Sequence, residues 1–487
     1  MKELILYFYG YIVFFYSMGL IISYVILMVL AEIGILRKKY HYLPEYSKYM
    51  IDTSPYTPGV SIVASAYNEE RTIVDNVNSL LSQDYPLFEV IIVNDGSRDK
   101  TLELLIENFS LVEVPFAYVE YIHTKPYKRL FKSTNPEYKR LIVVDKENGG
   151  TKADAVNAGL NASSYPYFIN TDVDCILSKD AIAQCIQPIL ESRDVIAVSG
   201  MMTSSNGCTV KNGRIVKRLP PHTPWALFQT LEYMRSFLVG KMGWSTINAM
   251  PNVSGGYGLF DKKIVIAAGG YSSDSFAEDM DMIIRMVGYC CDFKRKYRIV
   301  QIPANCCWTE VPATLTTLSR QRIRWGRGLI QTFMRHRRFI FNYKYRRLGM
   351  VTLPYVFIFE FIAPVIEFFG ILLFVYQAFT GAVNWRSALV IFLAIYTFCV
   401  ILGMVVILYD YMIGGTFSKA RSYMWIVLAA FLEPFLYHPF IVFFSIRGYF
   451  NYLVNKRAVW GEMTRKGFSG KKNKVKAAES SGVGGTL

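Results

Sequence analysis

The chain has 487 residues, of which 52% are hydrophobic and 15% aromatic, a level high for a soluble enzyme. Its formal net charge is +15, and the excess is unevenly placed, with ten Lys or Arg and no acid between Arg320 and Arg347. Basic runs flanking apolar blocks read as cytoplasmic loops of a membrane protein, because Lys and Arg resist translocation. A nucleic-acid groove is the rival reading, but no binding motif accompanies the charge, so nucleic acid is not an expected partner. The eight cysteines include the adjacent pairs Cys290-Cys291 and Cys306-Cys307. They form no regular framework and lack the usual two-residue zinc-ligand spacing, which favours free thiols over a disulfide scaffold or a zinc site.

Residues 5–36 contain one acid and no base. Roughly 20 apolar residues span a bilayer, so residues 1–40 are expected to form one long transmembrane helix. The run is too long for a cleavable signal peptide, and its only basic leader is Lys2. The "RKKY" that follows predicts a cytoplasmic end there and an external N-terminus.

Residues 41–328 read as a soluble domain. "GVSIVASAY", "FEVIIVND", "KRLIVVDK" and "YPYFINTDVD" are β-branched runs ended by polar residues, separated by stretches of helical spacing such as "NEERTIVDNVNSLLSQ" and "TKADAVNAGLNA". Strands alternating with helices predict a doubly wound, Rossmann-like α/β sheet. Ligands in such sheets sit at the carboxyl ends of the strands, where Asn68, Glu69, Asn94, Asp95, Asp172 and Asp174 lie. Residues 121–140 interrupt the alternation and read most simply as a solvated loop.

Downstream, 329–347 mixes bases with Phe, Ile, Leu and Tyr, as an interfacial helix does. Three apolar blocks follow at about 349–381, 385–413 and 424–454, so 348–455 is expected to hold the C-terminal transmembrane helices. The tail, 456–487, is basic and Gly/Ser-rich and is expected to be disordered and cytoplasmic. A third full crossing would put its bases outside. Pro434 and Pro439 interrupt the last block, so that block is expected to bend and return to the inner face; a kinked full span with an external tail is the alternative. Glu360, Glu367, Asp410 and Glu433 lie in or near the apolar blocks. Acids there line a polar lane for a sugar chain or pair internally, for example Glu433 with Arg447.

In "NTDVDC", two aspartates one residue apart close an apolar strand. Side chains alternate across a strand, so Asp172 and Asp174 point the same way while the strand persists. Two converging carboxylates suit a hard cation such as Mg²⁺ or Mn²⁺; an Asp-rich turn is the alternative. Lys152, beside a glycine pair, suits a diphosphate. "SRQRIRWGRG" packs four arginines around Trp325.

The segments "SAYNEERTI", "IIVNDGSRDKT", "NGGTKADAVNAG", "NTDVD", "FAEDMDMIIRM" and "QRIRW", in this order over roughly 61–326, resemble the family 2 glycosyltransferases. The resemblance implies a GT-A catalytic domain and a UDP-sugar donor. It implies that Tyr67, Glu69 and Asp95 hold the uridine, that Lys152 approaches the diphosphate, and that Asp174 with Asp172 meets metal and nucleotide. It makes Asp279 the general base with Glu278 beside it; taken alone, the two would read as acids at a helix N-terminus. "QRIRW" is similar to the Q-x-x-R-W motif of membrane-integrated members. Arg324 then faces the diphosphate, through a fixed fork of donors that suits it, and Gln321 and Trp325 meet the acceptor. Ser254, Gly255 and Glu232 lie in stretches similar to the family's acceptor-lining segments.

The arrangement of spans resembles the processive synthases of poly-N-acetylglucosamine, hyaluronan and chitooligosaccharide, and departs from bacterial cellulose synthase, which carries more spans and a regulatory barrel. The implied function is an inverting, processive β-glycosyltransferase in the cell membrane, the inner membrane in a bacterium. It polymerises a UDP-sugar on the cytoplasmic face and passes the glycan through its own helices. Its expected partners are the donor, the growing glycan, the bilayer and a small accessory membrane subunit. Two rivals remain: a non-processive enzyme moving one sugar to a lipid, and a binding or transport subunit with a dead catalytic fold, against which the intact motifs argue.

Overall fold

The computed structural model describes residues 2–41, 44–115 and 118–454. The tail at 456–487 lies outside the described residues. Twelve strands are present among them: β1 Val60–Ala66, β2 Phe88–Asp95, β3 Leu111–Glu113, β4 Tyr127–Ser133, β5 Leu141–Lys146, β6 Tyr167–Asp172, β7 Cys175–Leu177, β8 Val195–Ser204, β9 Thr209–Lys211, β10 Arg214–Lys217, β11 Tyr257–Asp261 and β12 Arg298–Thr309. Ten form one sheet in the order β3-β4-β5-β2-β1-β6-β11-β8-β12-β7, and β9 and β10 make a separate hairpin. The centre, β5-β2-β1-β6, is parallel, whereas β4 and β11 run antiparallel to their neighbours. The sheet is therefore mixed, of GT-A type, around a doubly wound parallel centre. Every residue of β2 and β5 is buried. Parallel strands covered by helices on both faces must be apolar throughout, which is why these runs do not alternate.

Residues 121–140 are not simply a loop. β4 occupies 127–133 and pairs with β5 through Leu130↔Val144 and Phe131↔Val143. Its apolar pair Leu130-Phe131 is buried while Lys128, Arg129 and Lys132 face out, and Arg129 binds Asp145 at 2.8 Å. Charge on a strand near a sheet edge discourages pairing with other chains and hides the strand from a hydropathy reading.

Among the described residues, three helices are long and apolar enough to cross a membrane: Gly10–Arg37, Leu348–Phe379 and Trp385–Met412. A fourth apolar unit is a pair, Ala420–Leu436 and His438–Val454, bent by 52°. The break falls at Tyr437, just before Pro439, which has no N–H to bond back to the Phe435 carbonyl. The first helix docks on the catalytic domain, where Thr246 Oγ1 donates to the Leu30 carbonyl at 3.0 Å.

The helix Leu315–His336 carries QRIRW and runs on past residue 328 without a break. The helix His438–Val454 lies directly on it. A Cβ on Gly326 would meet the Ser445 carbonyl at 2.8 Å, and one on Gly448 would meet the Ile323 carbonyl at 2.6 Å. Only glycine at both positions lets the backbones approach this closely.

Three of the acids in or near the apolar blocks have internal partners. Glu433 binds Arg235 of the catalytic domain rather than Arg447, at 2.5 and 3.0 Å. Asp410 accepts from Tyr423 and Thr416, and Glu367 contacts His438 at 2.7 Å. The reach from Glu433 to Arg235 spans 198 positions, so sequence proximity pointed to the wrong arginine.

Candidate active site

Because β1, β2, β5 and β6 are parallel, their polar ends collect on one edge. Ala66 is level with Asn94, Asp95 with Lys146, and Ser65 with Asp172. Tyr67 follows β1 and is exposed. Glu69 accepts from Thr72 Oγ1 at 2.8 Å, and its amide donates to Thr101 Oγ1 at 2.9 Å, which ties the "YNE" turn to the helix after "NDGS". Gly96, at φ +65°, makes the turn after β2 and lets the Asn148 backbone approach.

Asp95 is buried and accepts from Lys146 Nζ at 2.8 Å and from the Gly149 amide at 3.0 Å. Burial pushes its carboxyl up, and these donors oppose the push. Lys146 is fully buried and also binds Asp154, at 2.6 Å. The Asp95–Lys146–Asp154 chain thus joins β2, β5 and the helix Lys152–Ala162. Sequence reasoning missed Lys146. Its only signal was a lysine closing a strand that is apolar up to Val144.

Lys152 heads that helix, which Thr151 caps by accepting from the Asp154 amide. Its ammonium pairs with Asp172 and donates to the Gly255 carbonyl at 2.7 Å. Asn170 donates to the same carbonyl at 2.9 Å. Burial would lower the Lys152 pKa, but Asp172 and Glu278 outweigh it and hold the amine charged.

β6 ends at Asp172, so Asp174 lies in the turn before β7 rather than in strand alternation. The turn nonetheless brings carboxylate oxygens of Asp172 and Asp174 and the Cys175 sulfur within 4.8 Å of one another. Two carboxylates at that separation fit a hard cation. The thiol is a soft ligand, and it donates to Asp174 Oδ1 at 3.6 Å. The Lys152 ammonium sits against Asp172, so a cation there would share that carboxylate with it.

Glu278 and Asp279 open the helix Glu278–Asp292 and face Gly255. A Cβ on Gly255 would lie 3.6 Å from the Glu278 carboxylate, 3.7 Å from Asp279 Cβ and 3.9 Å from the Lys152 ammonium. Asp279 accepts from the Met280 amide at 2.8 Å and from Asn252 at 3.4 Å. Burial raises the Glu278 pKa and the Asp279 charge adds to that, while Arg324 and Lys152 pull it down. Asp281, two residues on, binds Arg285 at 2.8 Å and His336 at 2.7 Å. Burial would raise its pKa, but His336 and Arg285 hold it low. This link, absent from the sequence reading, fixes the Glu278–Asp292 helix to the end of the QRIRW helix.

Arg324 donates to the Phe276 carbonyl at 3.3 Å, just before Glu278. Trp325 is 37% exposed and is covered by the Arg322 guanidinium at 4.2 Å. Gln321 is buried and accepts from Gln229 at 2.9 Å. Ser254 donates to the Met202 sulfur at 2.9 Å. Glu232 is held by Arg322 at 2.5 and 2.7 Å and accepts from the Tyr437 hydroxyl at 2.7 Å. The structure thus brings Lys152, Asp172, Asp174, Gly255, Glu278, Asp279 and Arg324 together. It sets Glu232 in a separate cluster with both carboxylate oxygens engaged.

A family model described as Glycosyl transferase family 2 matches residues 61–237, and one described as Glycosyl transferase family group 2 matches 222–446. The chain belongs to the family 2 glycosyltransferases. The first match covers the strand-end residues from Tyr67 to Asp174 and reaches Glu232, and the second begins just before the helix Pro224–Arg235 and runs through Gly255, Asp279 and QRIRW into the apolar helices. The chain is 29% identical over 307 residues to the poly-beta-1,6-N-acetyl-D-glucosamine synthase of Staphylococcus epidermidis, covering 63% of this chain and 62% of that one, which is less than two thirds of the relative's length. It is 28% identical over 340 residues to the synthase of the same name from Staphylococcus aureus strain COL, covering 69% and 70%. Among solved structures, it is similar to the mannosyltransferase PcManGT of Pyrobaculum calidifontis, in complex with GDP-Man and Mn2+. That match has 18% identity and a TM-score of 0.47, and covers 88% of this chain and 98% of that one. The three apolar helices and the two synthase relatives make this family member a membrane protein similar to polysaccharide synthases.

Proposed function

We propose that the protein is an inverting synthase that extends a β-linked polysaccharide from a UDP-sugar on the cytoplasmic side of the membrane. The named relatives make N-acetylglucosamine the first sugar to test. One observation carries the reading: Lys152, Glu278 and Asp279 converge on Gly255, next to Asp172. A donor diphosphate there meets Lys152 and Arg324, while Tyr67, Glu69 and Asp95 line the nucleoside end. Asp279 accepts the proton of the acceptor hydroxyl as its oxygen bonds to the anomeric carbon. The bond to the diphosphate breaks, and UDP leaves with the electron pair. Burial raises the pKa of Glu278, and Asp279, beside it at the start of the helix, takes the base role in this reading. Asp172 and Asp174 would hold a divalent cation, Mg²⁺ or Mn²⁺, whose charge offsets that of the diphosphate. Trp325, partly exposed, would offer its ring to the acceptor sugar, with Gln321 and Ser254 as further acceptor contacts, whereas Glu232, engaged by Arg322 and Tyr437, would act through Arg322.

The domain boundaries follow: a first span to residue 40, a catalytic domain over 41–328, an interfacial segment over 329–347, spans over 348–455, and a cytoplasmic tail. Support for the inner-face return of the last block is the packing of His438–Val454 on the catalytic-domain helix. Translocation of the product through the helices and pairing with a small accessory membrane subunit belong to the same reading. Incubating purified protein with labelled UDP-N-acetylglucosamine and sizing the product tests it. Long polymer supports a synthase, a single-sugar lipid supports the non-processive reading, and no transfer of any UDP-sugar refutes both.

A further inference from the structure

A groove of about 640 Å³ lies away from the converging carboxylates, between the loop Leu219–Pro224 and the outer face of the helix Tyr423–Leu436. Leu227, Trp425, Leu428, Leu432 and Leu436 line its length. From Trp425 to Leu436 the helix rises roughly 16 Å, at about 1.5 Å per residue. At one end stand Lys419 and Arg421, both exposed, and no acid lines the groove. Trp425 and Leu436 are exposed as well, so nothing among the described residues covers the apolar wall.

The two ends differ in kind. The basic end belongs to the loop after Trp385–Met412, fixed to the catalytic domain where Arg218 donates to the Gly415 carbonyl at 3.1 Å and the Ser418 amide donates to the Arg218 carbonyl. The apolar end reaches Leu436, next to Tyr437, whose ring packs on Phe228 at 5.4 Å. Three prolines, Pro220, Pro221 and Pro224, stiffen the opposite wall. The occupant this charge pattern selects is an amphiphile with an anionic head and a long apolar chain.

We infer that this groove is a binding site for one anionic glycerophospholipid, with its phosphate at Lys419 and Arg421 and an acyl chain along Trp425, Leu428 and Leu432. The inference rests on the placement of these helices in a membrane, not on the identity of the sugar transferred. A basic residue near a membrane surface favours an anionic head, and an apolar slot of this volume matches the size of sites that bury small ligands. The Phe228–Tyr437 contact carries occupancy to Arg322, which binds the Tyr437 hydroxyl at 2.8 Å and covers Trp325.

The test uses the full chain in nanodiscs of phosphatidylcholine with and without phosphatidylglycerol, with bound lipid counted by native mass spectrometry. The expected result is retention of one phosphatidylglycerol in preference to phosphatidylcholine. The Lys419→Gln, Arg421→Gln double variant should weaken that preference roughly 30-fold, two bases each contributing about fivefold. Leu428→Trp, which fills the groove and leaves both charges, should lower retention of either lipid, with an unchanged melting temperature showing an intact fold. Equal retention of both lipids, or retention unaffected by either variant, overturns the inference. So does a second protein chain found in the groove. Failure of the chain to sediment with membranes would instead refute the membrane placement itself.

Discussion

Arg322, inside QRIRW, binds both carboxylate oxygens of Glu232 at 2.5 and 2.7 Å and donates to the Tyr437 hydroxyl at the break in the bent helix pair. Arg322 is buried, and Glu232 holds its charge against a burial that would raise its pKa. Removing one partner leaves the other charged and buried, which typically costs about 3–5 kcal/mol. Glu232→Ala should therefore lower the melting temperature sharply, and Glu232→Ala combined with Arg322→Met should recover part of the loss. If Glu232→Ala melts like the parent, the pair does not hold these helices together. The ion pair also orients Arg322 over Trp325, so Tyr437→Phe should raise the KM for acceptor more than that for donor.

Lys241 offers a pH signature. Burial lowers its pKa to about 8, although the Asp279 charge pulls the other way. The unfolded chain keeps its amine protonated to about pH 10.4. Between these values the unfolded state binds more protons, so stability should rise with pH from about 8 to 10.4 on account of this group. Below pH 8 the folded protein bears the cost of a charged, buried amine. Lys241→Met should accordingly raise the melting temperature at pH 7, with a gain that shrinks as pH approaches 10. A gain constant across that range would show that the amine is not the cause.

Much of this was legible in sequence because it is local. The strand ends fall where apolar runs meet Asn or Asp, and residue order alone puts Asp95 and Asp172 on one edge once the strands are parallel. What escaped was pairing over long separations. Lys146 binds Asp95 from 51 positions away, His336 binds Asp281 from 55, and Glu433 binds Arg235 from 198. No periodicity encodes such contacts. β4 escaped because its outward face is charged, and the Glu232–Arg322 pair because its partners lie 90 positions apart.

Asp174→Ala should abolish the metal dependence of nucleotide binding, since one of two carboxylates of a hard-cation site is gone. Calorimetry with UDP, with and without EDTA, reads this directly. Affinity that falls on chelation to the same extent in parent and variant would move the cation elsewhere.

The end of the bent pair should face the cytoplasm, because His438–Val454 packs on the catalytic-domain helix at Gly326. Val454→Cys, made after the partly exposed native cysteines Cys208, Cys291 and Cys399 are replaced, should resist a membrane-impermeant thiol reagent in intact cells and react after lysis. Labelling in intact cells would place that end outside.

The central claim is that Asp279, at the point where Lys152 and Glu278 converge on Gly255, takes the acceptor proton. Its direct test compares sugar transfer from labelled UDP-N-acetylglucosamine, and UDP binding, between the parent and Asp279→Asn. Loss of a general base typically costs about 100- to 10,000-fold. Transfer should fall by that order with UDP affinity within a few-fold of the parent, whereas near-parental transfer by Asp279→Asn would rule Asp279 out as the base.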